Sequence, residues 1–321
     1  MRIAINGLGR IGRTMLRQIL TSHPDIVVSH INDIADPVTL AYLMQYDSVF
    51  GPWPGEVTLS DGALHIAGRI IPLSRHADLT ALDLTGCDLV LECTGHADTR
   101  DVATRGLTAG ARRVLISGPS EAAEITIVLG ANDVELRDES IVSNASCTTN
   151  ALAPLLAALD ARHGIKTGHM TTIHCYTGSQ PMVDTPRGDP ARSRAGAVSM
   201  VPTTTSATKL IDRILPHLAG RVTGAAVRVP SISVSAIDLT CTLHNPPADA
   251  VKALQTIADA SPYIGTTNQP LVSIDLRARP ESLILALPET IPNGPQLRLF
   301  GWYDNEWGFS ARMIDMARRM T

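Results

Sequence analysis

The sequence predicts an α/β protein with two domains: an N-terminal doubly wound parallel sheet, then an α+β domain with a mostly antiparallel sheet. Short β-branched runs alternate with helical segments through the first half, which is the rhythm of a parallel sheet with helical crossovers. The second half has longer strands with few crossovers between them, which favours antiparallel pairing. The chain has 321 residues, 44% of them hydrophobic, which is enough for two cores.

In the first half, apolar β-branched runs predict strands, and apolar residues at helical spacing predict helices. In chain order we expect strand 2–5, helix 10–21, strand 26–31, helix 38–46, strand 88–92, helix 99–109, and strands 113–117, 125–129 and 140–144. Segments 57–59 and 64–66 predict a hairpin about Asp61-Gly62, a dipeptide that suits a two-residue turn.

The second half begins with a helix over 149–162, rich in alanine and leucine. Strands are then expected over 168–174, 223–229, 233–243, 271–275, 282–287 and 297–303, with helices over 205–215 and 248–261. The last helix, 307–320, is expected to return to the first domain. Segment 178–196 has no period and carries several prolines, so it predicts a long loop, which in a compact chain is often functional. These elements place the domains at 1–147, joined by 306–321, and at 148–305.

Composition excludes several classes of function. The formal net charge of -4 and an aromatic content of 3% disfavour a nucleic-acid partner. No apolar run is long enough to span a membrane, and the N-terminus runs straight into a strand without a signal-peptide pattern. The five cysteines are scattered without metal-ligand spacing, so we expect no metal and a reducing, cytoplasmic location.

A glycine-rich turn between the first strand and the first helix predicts a Rossmann-type dinucleotide site. Its glycines, Gly7, Gly9 and Gly12, allow a tight turn and close approach of the backbone to a pyrophosphate. Asp33 ends the second strand, where a carboxylate binds the adenosine ribose and repels a 2′-phosphate, so NAD is favoured over NADP. The alternative to a dinucleotide site is an ordinary glycine-rich turn between a strand and a helix, with Asp33 as a helix cap. Arg187 in the long loop is a residue that could meet a 2′-phosphate.

Cys147 has the setting of a nucleophile. It lies among small hydroxyl residues and directly before a helix, where the positive end of the helix dipole lowers the pKa of a thiol. His174, at the end of the next predicted strand, can complete the pair by moving protons. Cys175 and Cys241 are interpreted as core residues.

Three segments together resemble the phosphorylating glyceraldehyde-3-phosphate dehydrogenase family over nearly the whole chain. They are residues 5–13 (INGLGRIGR), 143–150 (SNASCTTN) and 302–308 (WYDNEWG). The resemblance implies that Cys147 is the nucleophile and His174 the base. It implies cofactor contacts by Asn6, Gly7, Gly9, Arg10, Ile11, Gly12, Asp33, Arg75, Thr94, Gly95, Ser117 and Asn305. It implies binding of substrate phosphate and inorganic phosphate by Ser146, Thr148, Thr177, Arg192, Thr205, Ser206 and Arg228.

The resemblance further implies oxidation of a sugar-phosphate aldehyde by NAD through a cysteine thiohemiacetal and a thioester, which inorganic phosphate releases as an acyl phosphate. It implies a homotetramer with the long loop near a subunit interface. Phe309, Ser206 and the loop around Arg187 depart from the common glycolytic pattern. Phe309 resembles the erythrose-4-phosphate dehydrogenase branch, which mainly hydrolyses the thioester. Two further hypotheses are a paralogue that uses arsenate and a binding protein without catalysis, although the binding protein would be expected to have lost its Cys–His pair or glycine turn.

Overall fold

The computed structural model describes residues 1–321 and divides into two compact units. The first unit consists of Met1–Ile127, Glu135–Ala145 and Ser310–Thr321. The second consists of Val128–Val134 and Ser146–Phe309. Each unit has its own sheet, as the change in sequence character after the first half predicts. No helix has the length and apolar character needed to cross a membrane.

A nine-stranded sheet forms the first unit. Its strands are β1 (Arg2–Asn6), β2 (Val27–Asn32), β3 (Val57–Ser60), β4 (Ala63–Ile66), β5 (Arg69–Ser74), β6 (Leu89–Glu92), β7 (Val114–Ile116), β8 (Ile125–Thr126) and β9 (Ile141–Ser143). Their order is β3-β4-β5-β2-β1-β6-β7-β9-β8. All neighbours from β5 to β8 are parallel, and only β3, β4 and β5 pair antiparallel. The predicted doubly wound parallel sheet is thus confirmed.

Three helices connect these strands: α1 (Arg10–Ser22), α2 (Pro37–Gln45) and α3 (Arg100–Thr108). The central strands are buried on both faces, which explains the apolar run Leu89–Leu91 of β6, and Glu92 at the end of this strand is buried as well. Helix α3 approaches the sheet closely at Gly106, where a Cβ would lie 2.9 Å from Val114 Cγ2. A small residue at that point therefore sets the spacing between helix and sheet.

The second unit is built on an eight-stranded sheet with helices on one face. Its elements are α4 (Cys147–His163), β10 (Ile165–Cys175), β11 (Val201–Thr203), α5 (Ala207–Ile214), β12 (Val222–Val229), β13 (Ser235–Leu243), α6 (Ala250–Asp259), β14 (Ile264–Thr267), β15 (Leu283–Ala286), β16 (Ile291–Asn293) and β17 (Gln296–Tyr303). The strand order is β11-β12-β10-β13-β17-β15-β14, with β16 paired to β17. Only β10–β12 and β14–β15 are parallel, so the mostly antiparallel sheet is confirmed.

The two faces of this sheet differ. Met170, Thr172 and His174 alternate along β10 and are buried on the face against which α4 packs. The opposite face is only half-buried and carries large apolar side chains on β10, β12 and β17. These are Ile173, Val227, Phe300 and Trp302.

The C-terminal helix, α7 (Trp307–Met320), belongs to the first unit from Ser310 onward. Arg318 donates to both carboxylate oxygens of Asp25, at 2.7 and 2.9 Å. Arg113 donates to the carbonyl oxygen of Met320. These two contacts join the C-terminal helix to the N-terminal part of the chain, where it is expected to return.

Several predicted elements are corrected. The predicted strand 271–275 is wrong: Ser273–Leu276 forms a 3-10 turn in which Asp275 accepts from the Val272 N–H at 2.9 Å, and Val272 and Ile274 are exposed. Strand β14 was not predicted, because only Ile264 in it is buried and the register with β15 supplies the pairing. The predicted strand 125–129 is reduced to two residues. Segment 178–196 forms no strand or α-helix, as predicted.

Candidate active site

The turn between β1 and α1 requires glycine at two positions. Gly7 has φ +94°, and a Cβ there would lie 2.7 Å from the backbone carbon of Cys93. A Cβ on Gly12 would lie 2.0 Å from the carbonyl oxygen of Gly7. At Gly9, which precedes the helix, nothing lies within 4 Å of the added atom. The turn is therefore closed on its inner side and open at the start of the helix, where free N–H groups favour an anion.

A cavity of about 410 Å³ opens beside this turn, within the first unit. Five of the predicted cofactor residues line it: Asn6, Gly7, Gly9, Asp33 and Thr94. The remaining lining residues were not singled out from the sequence, because no motif marks them: Asn32, Ile34, His76, Ala77, Leu79, Cys93, His96, Val102 and Arg105. A cavity with an apolar wall and a few polar groups at the carboxyl ends of parallel strands suits a dinucleotide.

Asp33 is held at the edge of this cavity by two backbone donors. Its Oδ2 accepts from Leu8 N at 2.6 Å, and its Oδ1 accepts from Ala35 N at 2.8 Å. The carboxylate is thus fixed beside the glycine turn. This position fits the predicted contact with an adenosine ribose.

The other seven predicted cofactor residues do not line the cavity: Arg10, Ile11, Gly12, Arg75, Gly95, Ser117 and Asn305. Arg10 forms an ion pair with Asp47, and Arg75 donates to the Ile34 carbonyl at 3.1 Å.

Asn305 belongs to the second unit, where its Oδ1 accepts from Cys175 Sγ at 3.1 Å and from Ser235 Oγ at 3.2 Å. Val234, just before Ser235, has φ +63°, a strained value for a β-branched residue.

Cys147 is the first residue of α4 and follows a sharp change of chain direction. Ala145 has φ +55° and is fully buried, and Ser146 caps the helix by accepting from Thr149 N at 3.1 Å. The Cys147 Sγ lies 3.7 Å from Nε2 of His174. Strand β10 and helix α4 thus bring together a thiol and an imidazole that are 27 residues apart in sequence.

His174 is buried and contacts two groups through its other nitrogen. Nδ1 lies 2.7 Å from the Cys175 carbonyl oxygen and 2.8 Å from Nη1 of Arg228. One of these groups is an acceptor and the other a donor, so the two contacts by themselves fit either tautomer. The tautomer that a base requires has its proton on Nδ1, donated to the carbonyl, and leaves the Nε2 lone pair facing Cys147. Arg228 Nη1 also donates to the Cys175 carbonyl, at 3.2 Å, so both groups share that acceptor.

Burial dominates the titration of both groups. Burial, followed by the charge of Arg228, lowers the pKa of His174 to about 4. Burial raises the pKa of the Cys147 thiol, while Arg228 and hydrogen bonds from Thr148 act against that rise. The N–H groups at the start of the helix do act to lower this pKa, as expected, but burial outweighs them, so the pKa of the isolated thiol rises. Transfer of the thiol proton to His174 would leave a thiolate beside an imidazolium, each stabilised by the charge of the other.

A second cavity, of about 310 Å³, surrounds the pair within the second unit. It is lined by eight predicted residues: Ser146, Cys147, Thr148, His174, Arg192, Thr205, Ser206 and Arg228. Thr172, Thr204 and Ala226 complete the wall. Two guanidinium groups, several hydroxyls and no carboxylate line this space, so it suits a phosphate-bearing ligand.

Thr177 is the predicted phosphate residue that the structure does not place in this cavity. Its Oγ1 lies 2.9 Å from Ser179 Oγ, on an exposed part of the chain. Arg192 does reach the cavity, and its Nη2 lies 3.4 Å from Thr204 Oγ1.

Tyr303 is a buried residue behind the cavity wall that the sequence interpretation missed. Its hydroxyl lies 2.8 Å from both Thr148 Oγ1 and Thr172 Oγ1, and its ring meets that of His174 edge-on with centroids 6.1 Å apart. Burial raises the pKa of Tyr303, so its hydroxyl keeps its proton. Tyr303 lies within the segment 302–308 used for the resemblance, but nothing local showed that it reaches Thr148.

Comparisons with known proteins agree with this geometry. Residues 1–100 match the family model of the glyceraldehyde 3-phosphate dehydrogenase NAD binding domain, and residues 146–305 match that of the C-terminal domain. A glyceraldehyde-3-phosphate dehydrogenase of Xanthobacter flavus is 44% identical over 100% of this chain and 98% of its own length. Those of Pseudomonas aeruginosa and Geobacillus stearothermophilus are 46% and 39% identical, each over 99% of this chain and 97% of their own length. This chain belongs to the glyceraldehyde-3-phosphate dehydrogenase family.

Proposed function

We propose that this protein oxidises D-glyceraldehyde 3-phosphate to 1,3-bisphosphoglycerate with NAD and inorganic phosphate. The observation that carries the proposal is the second cavity, where a thiol and an imidazole 3.7 Å apart share one space with two guanidinium groups. The thiol and imidazole suit covalent chemistry on an aldehyde, and the cationic wall suits a phosphorylated substrate. Family membership and the dinucleotide cavity support NAD as the cofactor.

The first step is addition of Cys147 to the aldehyde. The thiol proton passes to Nε2 of His174 as sulfur bonds to the carbonyl carbon, and then from Nε2 to the new alkoxide oxygen, which gives a thiohemiacetal and a neutral His174. The backbone N–H of Cys147, at the start of α4, can donate to the developing oxyanion. Arg192 and Arg228 hold the phosphate end of the substrate through their forks of donors.

The second step oxidises the thiohemiacetal to a thioester. His174 in its neutral form accepts the hydroxyl proton, and the lowered pKa of His174, at about 4, keeps it neutral and ready to act as a base. NAD, when bound, supplies the acceptor for the hydride. The thioester on Cys147 conserves the free energy of the oxidation.

The third step releases the acyl group. A phosphate oxygen attacks the thioester carbon, the carbon–sulfur bond breaks, and Cys147 leaves as the thiolate. The hydroxyl groups of Ser146, Thr148 and Thr205 line the cavity and are proposed to hold the attacking phosphate, with Ser206 beside them. The predicted substrate role of Thr177 is not used in this step, because its hydroxyl contacts Ser179 and it does not line the cavity.

A four-carbon substrate, erythrose 4-phosphate, is not favoured. The relatives that match over the whole chain are named glyceraldehyde-3-phosphate dehydrogenases, in Xanthobacter, Pseudomonas and Geobacillus among others. Arsenate has nearly the shape of phosphate, so it serves as a substitute for phosphate in the test of this proposal.

We also propose that the protein acts as a homotetramer in the cytoplasm. The half-buried sheet face with Ile173, Val227, Phe300 and Trp302 offers an apolar surface for a second copy. Light scattering would contradict the tetramer by showing a monomer. The five free cysteines suit a reducing compartment.

We propose that residues 1–147 together with 306–321 bind the cofactor, and that residues 148–305 carry out catalysis.

The test follows NADH formation at 340 nm with glyceraldehyde 3-phosphate and with erythrose 4-phosphate, each with phosphate, with arsenate and with neither. We expect sustained turnover of glyceraldehyde 3-phosphate only when phosphate or arsenate is present. Without either oxyanion, we expect one molecule of NADH per active site, because the thioester is not released. Cys147→Ser is expected to abolish turnover and to keep NAD binding, with Cys241→Ser as the control. Sustained turnover without an oxyanion would instead indicate hydrolysis of the thioester.

A further inference from the structure

A buried carboxylate beneath the dinucleotide cavity has no role in the proposed reaction. Glu92 ends β6, is 3% exposed, and forms no ion pair with a lysine, arginine or histidine. Its partners are neutral donors: Asn6 Nδ2 at 2.6 Å, Thr94 N at 2.9 Å, and the Thr94 hydroxyl. Burying a charge with no counter-ion is costly, so a fold retains it only where its hydrogen bonds are needed.

The hydrogen bonds continue from Glu92 across the carboxyl ends of neighbouring strands. Asn6 Oδ1 accepts from Asn32 Nδ2 at 2.8 Å, and Asn32 Oδ1 accepts from Ser74 Oγ at 2.7 Å. Ser74 Oγ in turn lies 2.9 Å from Nε2 of His30. We call these residues the Glu92 network; its members from Glu92 to His30 lie on β6, β1, β2 and β5, which are adjacent in the sheet.

The orientations of the two asparagine amides in this network are fixed from both ends. A carboxylate only accepts, so Asn6 must present its NH2 group to Glu92 and its oxygen to Asn32. At the other end, Asn32 Nδ2 donates to the His76 carbonyl at 2.9 Å, and Asn32 Oδ1 accepts from His76 N at 2.9 Å. Those backbone groups cannot exchange roles, so neither amide can rotate by a half-turn.

This arrangement leaves one donor free at the cavity. The Asn6 amide nitrogen carries two hydrogens, one of which goes to Glu92, and the second has no acceptor within the protein. Asn6, Asn32, Thr94 and His76 all line the dinucleotide cavity. The Glu92 network therefore sets both the direction of the Asn6 donor and the position of the turns that carry Thr94 and His76.

We propose that Glu92 is a positioning residue of the dinucleotide site, which holds the Asn6 amide so that its second N–H donates to an oxygen atom of the bound dinucleotide. The inference rests on the proposed use of NAD. It assigns Glu92 no contact with the cofactor and no part in proton transfer, so its loss should weaken NAD binding before it affects the chemistry of Cys147.

Glu92→Gln is the informative substitution because it keeps the shape and removes only the charge. The introduced amide can accept from Thr94 with its oxygen, but its NH2 group then faces the NH2 group of Asn6. Rotating Asn6 moves the same donor–donor conflict to Asn32, which His76 holds in place. The variant therefore contains one amide N–H group without an acceptor, at Asn6 or at Asn32, whichever way the Asn6 amide is turned.

The substitution Asn6→Asp in the Glu92→Gln background removes the conflict. An aspartate at position 6 accepts from the introduced glutamine with one oxygen and from Asn32 with the other, so the network is complete again. The same aspartate presents no N–H to the cavity. The double variant should therefore recover stability without recovering NAD affinity, which separates a positioning role from a merely structural one.

The experiment measures the NAD dissociation constant by calorimetry and the melting temperature without NAD. The controls are wild type and Glu56→Gln, an exposed glutamate of the first unit. We expect Glu92→Gln to bind NAD about 10-fold or more weakly, the scale of one lost hydrogen bond to a charged group, and to melt several degrees lower. We expect Glu92→Gln/Asn6→Asp to melt near wild type and still bind at least about 10-fold more weakly. Alkylation of Cys147 by iodoacetamide without NAD should match wild type in all variants.

Three outcomes would overturn the inference while leaving the proposed function intact. They are NAD binding by Glu92→Gln within twofold of wild type, recovery of both affinity and stability in the double variant, and failure of Asn6→Asp to restore stability. If Glu92→Gln does not fold, the double variant alone decides, because the inference requires it to fold and to bind NAD weakly. A wild type that does not bind NAD would overturn the proposed function and this inference together.

Discussion

The buried histidine makes the pH dependence of stability a quantitative test of the site. His174 is 5% exposed, and burial, followed by the charge of Arg228, lowers its pKa from 6.5 to about 4. Each pKa unit corresponds to about 1.4 kcal/mol, so the shift is equivalent to about 3 kcal/mol of unfolding free energy.

The sign follows from the proton count. Between pH 6.5 and about 4 the unfolded chain binds a proton at this histidine and the folded protein does not. The stability contributed by the neutral form is present above pH 6.5, falls as the pH falls, and is fully lost below about 4. Replacing His174 with asparagine should remove its contribution to the pH dependence of the unfolding free energy and leave the contributions of all other groups.

The assay is urea unfolding from pH 7.5 to 4.5. The protein concentration is the same in every sample, so that any contribution of subunit association to stability is the same in wild type and variants. Wild type should lose about 2 to 3 kcal/mol more than His174→Asn over this range. His169→Asn, an exposed histidine on the same strand, is the matched control and should follow wild type. Parallel curves for wild type and His174→Asn would refute the argument that burial holds this imidazole neutral.

Three further predictions concern reactivity and binding. His174→Asn should move the pH midpoint of Cys147 alkylation upward by about one unit or more, because Nε2 of His174, 3.7 Å away, is the group that accepts the thiol proton as the thiolate forms. An unchanged midpoint in iodoacetamide titrations would contradict the coupling. Asp33→Ala should reduce the preference for NAD over NADP at least about tenfold, since it removes the carboxylate that would repel a 2′-phosphate, as judged from the ratio of the two kcat/KM values. Arg228→Ala should raise KM for glyceraldehyde 3-phosphate about 100-fold or more, because it removes a charged donor from the cavity. Arg228→Lys should restore only part of the lost affinity, since lysine lacks the forked donors of a guanidinium. Equal KM values for the two variants would argue against bidentate binding of the phosphate.

The dinucleotide turn shows what local sequence can determine. Gly7 and Gly12 are required by contacts with backbone atoms of the same turn and of the adjacent strand, and a strand-turn-helix pattern of glycines expresses those contacts directly. The Cys147 turn is similar, because its cap, its helix and its nucleophile are neighbours in the chain. The strand and the helices around the two predicted sites were therefore predicted correctly.

Predictions were wrong or incomplete where distant segments supply the partner. Strand β14 has little apolar pattern of its own, and its register with β15 makes it a strand. The apolar residues Val272 and Ile274 suggested a strand but are exposed on a 3-10 turn, because pattern alone does not show which face will be covered. The side chain of Arg10, a predicted cofactor residue, forms an ion pair with Asp47, which lies 37 residues further along the chain and was not predicted as its partner.

The sequence by itself determined the two-domain α/β architecture and the glycine turn with Asp33, because these depend on residue type and local spacing. It also predicted Cys147 and His174 as a thiol–imidazole pair, and their side chains lie 3.7 Å apart. Only the tertiary structure decided how these groups are tuned. Burial sets the pKa values of Cys147 and His174, and Tyr303 reaches Thr148 from 155 residues away. Glu92 orients Asn6 from 86 residues away. Solvent exclusion and hydrogen-bond direction are properties of packed strands, so they exist only once the chain has folded.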